Sequence, residues 1–260
     1  MNIQQYYRQA ANISLNASLV SIYLPVLFII VTSIFIPNRE IVILTVPFLL
    51  YSLICFHSFQ LNKERYLDLE KKVLVNHHSE TLFEGVHFPI TFVPSPSLHL
   101  LIYNPDGVQV GEIKDLNSKK YRWFLPYFLD KLIPISYGFF EGERLVAIIN
   151  IKKYKIDILN DNKEMIGWLD LNGKEAISYV SPTHTFIVHQ LASPLFTDVK
   201  FLSKEQSVMC RVRKGWLPRE WNKFSNDPNV PVLSFKKHQS KEERLAFLAL
   251  ITKCFRYSNH

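Results

Sequence analysis

Two apolar runs dominate the first quarter of the chain. Asn16 to Ile36 and Ile41 to Phe59 contain no charged residue, and only Pro37, Asn38, Arg39 and Glu40 separate them. About 20 residues rising 1.5 Å each cross the roughly 30 Å hydrocarbon core of a bilayer, so each run has spanning length. The short link makes them an antiparallel helical hairpin. Pro25 and Pro47 fall inside the runs, and each removes a helix hydrogen bond. In lipid the freed carbonyls need new partners, for which Ser21, Thr32, Ser33 and Ser52 are the candidates. Neither run contains glycine, which excludes a GxxxG crossing. A signal peptide fits less well, because Arg8 is the one cation before the first run and no small-residue cleavage site follows it.

Beyond Phe59 the pattern changes. Leu61 to Val75 is charged and weakly periodic, the signature of a helical extension or juxtamembrane linker. His87 to Ser97 is broken by Pro89, Pro94 and Pro96, which suits an edge strand or an irregular entry segment. Leu98–Tyr103 and Val108–Ile113 then flank Asn104-Pro105-Asp106-Gly107, a proline and glycine turn that predicts a β-hairpin. Fifty-six positions later the pattern returns. Lys155–Leu159 and Glu164–Leu169 flank Asn160 to Lys163, with Asn104 matching Asn160, Gly111 matching Gly167 and Ile113 matching Leu169.

Further strands are expected at Ile135–Phe140, Arg144–Ile151, Ala176–Val180, Thr185–Leu191, Asp198–Leu202, Ser207–Val212 and Val230–Phe235, giving an all-β body. At the end, Ser240 and Glu243 form a capping box that starts a helix. Its middle, Leu245 to Ile251, is apolar on every side. It is too short to span a bilayer and must be surrounded. A helix threaded through a β-barrel meets both conditions. The expected division is therefore a membrane hairpin in 1–60, a linker and entry segment in 61–97, and a β-domain in 98–260.

Charge adds direction. The chain carries +7, and since residues 1–60 hold Arg8, Arg39 and Glu40, nearly all of it lies in the soluble part. Lys63, Arg65, Lys71 and Lys72 follow the second run, so the positive-inside rule places both termini in the cytoplasm of a cell-membrane protein. A basic domain tethered beside an anionic leaflet meets lipid before nucleic acid. The cysteines Cys55, Cys210 and Cys254 form no disulfide framework.

Paired hairpins of the type Asn-Pro-Asp-Gly then Val-Gly-Glu-Ile, many short strands and a C-terminal apolar helix resemble the tubby C-terminal-like superfamily, which includes the LURP-one-related proteins and the phospholipid scramblases. The resemblance covers about Leu98 to the end and implies a closed antiparallel β-barrel around a central helix, here Leu245 to Phe255. Scramblases carry their hydrophobic segment at the C-terminal end, whereas here a hairpin precedes the domain, and the phosphoinositide-binding cations of tubby proteins have no residue-by-residue match.

The leading candidate patch for lipid or partner binding is Arg211, Arg213, Lys214, Trp216, Arg219 and Trp221, since cations hold phosphate and tryptophan favours the water–lipid interface. Strand alternation puts Arg211 and Arg213 outward if Val212 points inward. A companion patch is Lys119, Lys120, Arg122 and Trp123. His77 beside His78, and His184 with His189, point to opposite faces of a strand, so no metal site is expected. No Gly-x-Ser-x-Gly elbow, Walker loop or dinucleotide fingerprint occurs, and no cofactor is expected. The sequence thus favours a membrane-anchored binding or regulatory module. A lipid-scrambling or lipid-modifying protein and a structural component of a membrane complex are the alternatives.

Overall fold

The structure is a computed structural model that describes residues 2–35, 43–71, 81–118, 122, 135–172, 176–193, 198–215 and 230–256. These form two compact units, one ending at the helix that closes at Lys71 and one beginning at Thr81.

The first unit is a pair of antiparallel helices, α1 (Ile3–Phe35) and α2 (Val46–Lys71). Its polarity changes along its length. In the uncharged portion the facing side is polar, with Ser18, Ser21, Thr32, Thr45 and Ser52 buried, while Leu19, Val20, Ile30, Leu53 and Ile54 stand exposed. Ser52 Oγ donates to the Ser18 carbonyl at 3.0 Å, and the two hydroxyls hydrogen-bond to each other at 3.0 Å. Toward the termini the arrangement reverses. Ile3, Tyr7, Ala11 and Leu69 are buried, whereas Arg8, Lys63, Glu64 and Asp68 face outward. The second pattern is that of helices in water; the first is its inverse.

Of the two prolines in the apolar runs, Pro25 lies in a helix interior. Because α2 begins at Val46, Pro47 sits in its first turn, where the missing N–H has no partner to lose. The hydroxyls expected to serve the prolines bond elsewhere, Ser21 to the Ala17 carbonyl and Thr32 to those of Phe28 and Ile29. The Ser33 side chain lies outside the described residues.

The second unit is a closed barrel of twelve antiparallel strands. They are β1 (His87–Phe92), β2 (His99–Tyr103), β3 (Gln109–Asp115), β4 (Ser136–Glu141), β5 (Arg144–Ile151), β6 (Lys155–Leu159), β7 (Met165–Asp170), β8 (Ala176–Val180), β9 (Thr185–Ala192), β10 (Asp198–Leu202), β11 (Val208–Arg213) and β12 (Val232–Phe235). Each pairs with its sequence neighbours, and β1 closes the ring by pairing with both β12 and β2. His87–Phe92 is therefore no edge strand and the barrel begins before Leu98. Pro89 is tolerated because its missing N–H faces β2, whose pairing with β1 begins only at Ile90, while the bond to β12 is made by Ile90 N–H to the Pro231 carbonyl.

The hairpin seen twice in the sequence occurs three times, in β2–β3, β6–β7 and β10–β11. The turns Asn104–Val108, Asn160–Glu164 and Ser203–Ser207 share the same two backbone hydrogen bonds. Each has a positive φ at its fourth residue, Gly107, Lys163 and Gln206. Each is preceded by the same register shift, at Ile102/Tyr103, Ile158/Leu159 and Phe201/Leu202. The barrel is thus three four-strand units, the last completed by β1.

Alternate residues of every strand point inward. Ile102, Ile113, Phe139, Ile149, Ile158, Leu169, Tyr179, Phe201 and Val212 form one core with α3 (Lys241–Phe255). From Leu245 to Ile251 no residue of α3 is more than 2% exposed, so the helix is enclosed, as its all-round apolarity predicts. The capping box at Ser240 and Glu243 is formed. Two further contacts fix this end. Thr183 Oγ1 donates to Glu242 at 2.7 Å, and the buried Arg244 donates from Nη1 to the carbonyls of Leu82 (2.6 Å) and Gly85 (2.7 Å).

Candidate functional site

Every third-unit feature described so far follows a shared template, so departures from it stand out. In register, Cys210 takes the place of Gly111 and Gly167, and Arg211 that of Glu112 and Trp168. Two residues on, Arg213 stands where the other units have Lys114 and Asp170. The fold itself does not ask for two arginines here. Cys210 and Val212 point into the core, which turns Arg211 and Arg213 outward onto the barrel wall.

Cross-strand register assembles the rest. Arg211 lies opposite Ser234 of β12, and Ser234 lies opposite His87 of β1. The His87 Nδ1 and Ser234 Oγ atoms hydrogen-bond at 2.9 Å. Together with Arg213, Met209 and Lys236 these residues line a surface groove of about 260 Å³.

The electrostatics are unbalanced. Arg211 is satisfied, donating from Nε and Nη2 to the two carboxylate oxygens of Asp198, both at 2.7 Å. This bidentate bond holds the Asp198 carboxyl below its ordinary range and raises Arg211 above its own. Lys200 stands 3.8 Å from the same carboxylate. Among the described residues Arg213 and Lys236 have no carboxylate within ion-pair distance, although Arg213 acts electrostatically on Asp198 and Lys236 on Glu205, and Lys236 makes long hydrogen bonds to Ser207 Oγ (3.4 Å) and Met209 Sδ (3.8 Å). The groove therefore holds two cations outside any ion pair among the described residues, beside the hydrogen-bonded Ser234 and His87 and the apolar Val208 and Met209.

The chain matches no family model, no curated protein and no solved structure. Its chemistry has to be read from the groove.

Ser234 and His87 are in contact, and an oxyanion hole beside them would use backbone amides or side-chain donors. Here the neighbouring amides are committed, Phe235 N–H to the Val86 carbonyl and Lys236 N–H to that of Met209. No cluster of His, Cys, Asp and Glu that could hold a metal occurs among the described residues. Asp157 is paired with Lys152 (2.6 Å) and Lys155 (2.9 Å). Burial pushes its carboxyl upward, but those two hydrogen bonds outweigh burial and the net shift is downward.

Of the residues picked from sequence, Arg211 and Arg213 meet in the groove and Lys214 is exposed just beyond β11. Arg122 does not belong to a solvent-facing patch. It is buried, and its Nη1 donates to Asp115 Oδ2 at 2.6 Å, a structural ion pair. Trp216, Arg219, Trp221, Lys119, Lys120 and Trp123 lie outside the described residues. His87, Ser234, Lys236 and Asp198 were not legible as site residues, because nothing short of strand register brings them beside Arg211.

Proposed function

We propose that the protein is an integral protein of the cell membrane, anchored by the α1–α2 hairpin with both termini in the cytoplasm. In this reading its barrel is a binding or regulatory module that takes anionic lipid headgroups in the groove between β1, β12 and β11. The observation that carries the binding half is the pair Arg213 and Lys236, which line the groove with no carboxylate within ion-pair distance among the described residues. Arginine and lysine side chains such as the half-buried Arg213 and the exposed Lys236 form charge-assisted hydrogen bonds with phosphate or carboxylate oxygens.

The anchor is supported by the reversed polarity of the hairpin. Exposed Leu, Ile, Val and Phe around a seam of Ser and Thr would be unfavourable in water, but suit a lipid solvent in which polar groups must be satisfied internally. Both helices are long and apolar enough to cross a membrane. Lys63, Arg65 and Lys71 after the second apolar run support the orientation. A closed barrel around one C-terminal helix supports the resemblance to the tubby C-terminal-like fold.

The test is titration of the full-length protein, held in neutral detergent micelles, with a soluble short-chain phosphatidylserine. Saturable binding that weakens with salt is expected, and the Arg213→Ala, Lys236→Ala double variant should lose it. Binding that is indifferent to both substitutions would remove the groove from the account.

A further inference from the structure

The threefold repeat gives positions of the third unit two equivalents each, and one row of the groove departs from both. Across β3, β4 and β5 the register sets Glu112 beside Phe140 and Phe140 beside Leu145. Across β7, β8 and β9 it sets Trp168 beside Val180 and Val180 beside Thr185. The equivalent row of β11, β12 and β1 is Arg211, Ser234 and His87. Phe140 and Val180 carry no polar side-chain atom, so the first two units hold this part of the wall without a polar pair. A serine hydrogen-bonded to a histidine is therefore not something the fold asks for here.

The pair has the geometry of a nucleophile and its base. His87 Nδ1 lies 2.9 Å from Ser234 Oγ, within the range over which a general base takes a proton from a hydroxyl. Both residues are half-buried and line the groove, so the hydroxyl is open to a bound molecule. Cations flank it on two sides. Arg211 stands directly opposite Ser234, with Arg213 two residues further along β11 on the same face. Lys236 follows Ser234 by two residues, a spacing of about 7 Å along a strand. Val208 and Met209 add an apolar wall.

We infer that the groove is also the catalytic site of a serine esterase whose substrates are the acyl esters of anionic glycerophospholipids. With the imidazole proton on Nε2, His87 Nδ1 accepts the Ser234 proton as Oγ bonds to the ester carbonyl carbon. The tetrahedral adduct collapses by breaking the bond to the glycerol oxygen, which takes that proton from the imidazolium and leaves as an alcohol. Water then adds to the acyl-serine with His87 as base, and the proton returns to Ser234 Oγ as the fatty acid departs. Ester and water become alcohol and acid, with no redox partner required. The amides of Phe235 and Lys236 are committed, so the oxyanion is stabilised by side-chain donors. Arg213 and Lys236 fill two roles, one holding the phosphate and the other meeting the oxyanion. The ester lies only a few bonds from that phosphate, which matches the short spacing between these cations and Ser234. The inference rests on the reading of the groove as an anionic headgroup site.

Full-length protein in neutral detergent micelles is treated with a fluorophosphonate, which esterifies an activated serine, and the labelled residue is found by peptide mapping. Label is expected at Ser234, and His87→Gln should slow its appearance about a hundredfold or more. A hydrogen bond that merely tied β1 to β12 would give no labelling to slow. In a second arm, fatty acid released from short-chain phosphatidylglycerol is compared with that from phosphatidylcholine of the same acyl chains. Release should be several-fold faster from the anionic lipid and absent in Ser234→Ala prepared identically. The Arg213→Ala, Lys236→Ala variant should lose the preference for the anionic lipid. No label at Ser234 in the wild type, or release that persists in Ser234→Ala, would overturn the inference, and equal release from the two lipids would overturn its substrate class. Headgroup binding that needs Arg213 and Lys236 but comes with neither label nor release contradicts this inference alone. Absence of binding and release together contradicts the headgroup reading beneath it as well.

Discussion

Arg211 and Asp198 face each other across β11 and β10 in a bidentate pair, with both hydrogen bonds 2.7 Å long. One strand supplies the cation and its neighbour neutralises it, while Arg213 and Lys236 line the groove outside any ion pair among the described residues. Replacing Asp198 by Asn removes the neutralising charge while keeping the shape. The account predicts that Asp198→Asn binds anionic short-chain lipid several-fold more tightly, since about 1 kcal/mol per cation is roughly a fivefold change. Titration at low salt checks this, and an unchanged or weaker affinity would contradict it.

The repeat makes a prediction about stability. A Cβ on Gly167 would lie 2.6 Å from the Tyr179 hydroxyl and 2.8 Å from its ring, whereas one on Gly111 would lie 3.0 Å from the Phe139 ring edge. Gly167→Ala should therefore cost on the order of 1–3 kcal/mol, with Gly111→Ala at the low end. Thermal melts of the full-length variants, read by near-ultraviolet circular dichroism, would rank the two.

Sequence reasoning reached most of the architecture because the barrel is built from local hairpins. Strands such as Lys155–Leu159 and Asp198–Leu202 show their alternation plainly, and the Ser240–Glu243 box fixes the start of the enclosed helix. The third repeat escaped notice because Ser203 and Gln206 hold the turn that Asn and Gly hold in the first. β1 is obscured by Pro89, whose tolerance depends on where the pairing with β2 begins. The site was half legible. Arg211 and Arg213 share a strand face, but His87 and Ser234 join them through long-range register, and Arg122 looked like a surface cation until Asp115 was seen beside it.

Acid should weaken one surface cluster before the core. His99 Nε2 lies 2.8 Å from Glu112 Oε1 and Lys114 Nζ 3.1 Å from it. The hydrogen bond with His99 is the main cause that brings the Glu112 carboxyl down to about 2 from 4.5. Because the folded value lies below the unfolded one, this contribution is fully present above about pH 4.5 and is lost as pH falls toward 2. Glu112→Gln should flatten the stability profile between those limits and leave it unchanged at neutral pH relative to its own plateau. Melting temperature against pH for both proteins measures the difference.

Two thiols should be inert in the folded chain. Burial pushes Cys210 well above its ordinary value and Cys254 up to about 11, and thiolates are the reactive species. Maleimide labelling followed by peptide mapping should leave Cys210 unmodified until denaturant opens the barrel. Rapid labelling of Cys210 under native conditions would show that the helix is not enclosed.

Within the hairpin, Ser52→Ala removes both hydrogen bonds to Ser18. Polar contacts between membrane helices average about 0.6 kcal/mol, so the expected effect is a modest loosening. Disulfide trapping between cysteines placed at Leu15 and Phe56 should proceed faster in the variant than in the parent.

The central claim is that a membrane-tethered barrel holds anionic headgroups in the groove of Arg211, Arg213, Ser234 and Lys236. Calorimetric titration of full-length protein in neutral micelles with short-chain phosphatidylserine, for wild type beside the Arg213→Ala, Lys236→Ala variant, tests it most directly. The account predicts one saturable, salt-sensitive site in the wild type and its loss in the variant at unchanged melting temperature. Equal binding by the two proteins, or none by either, would contradict it.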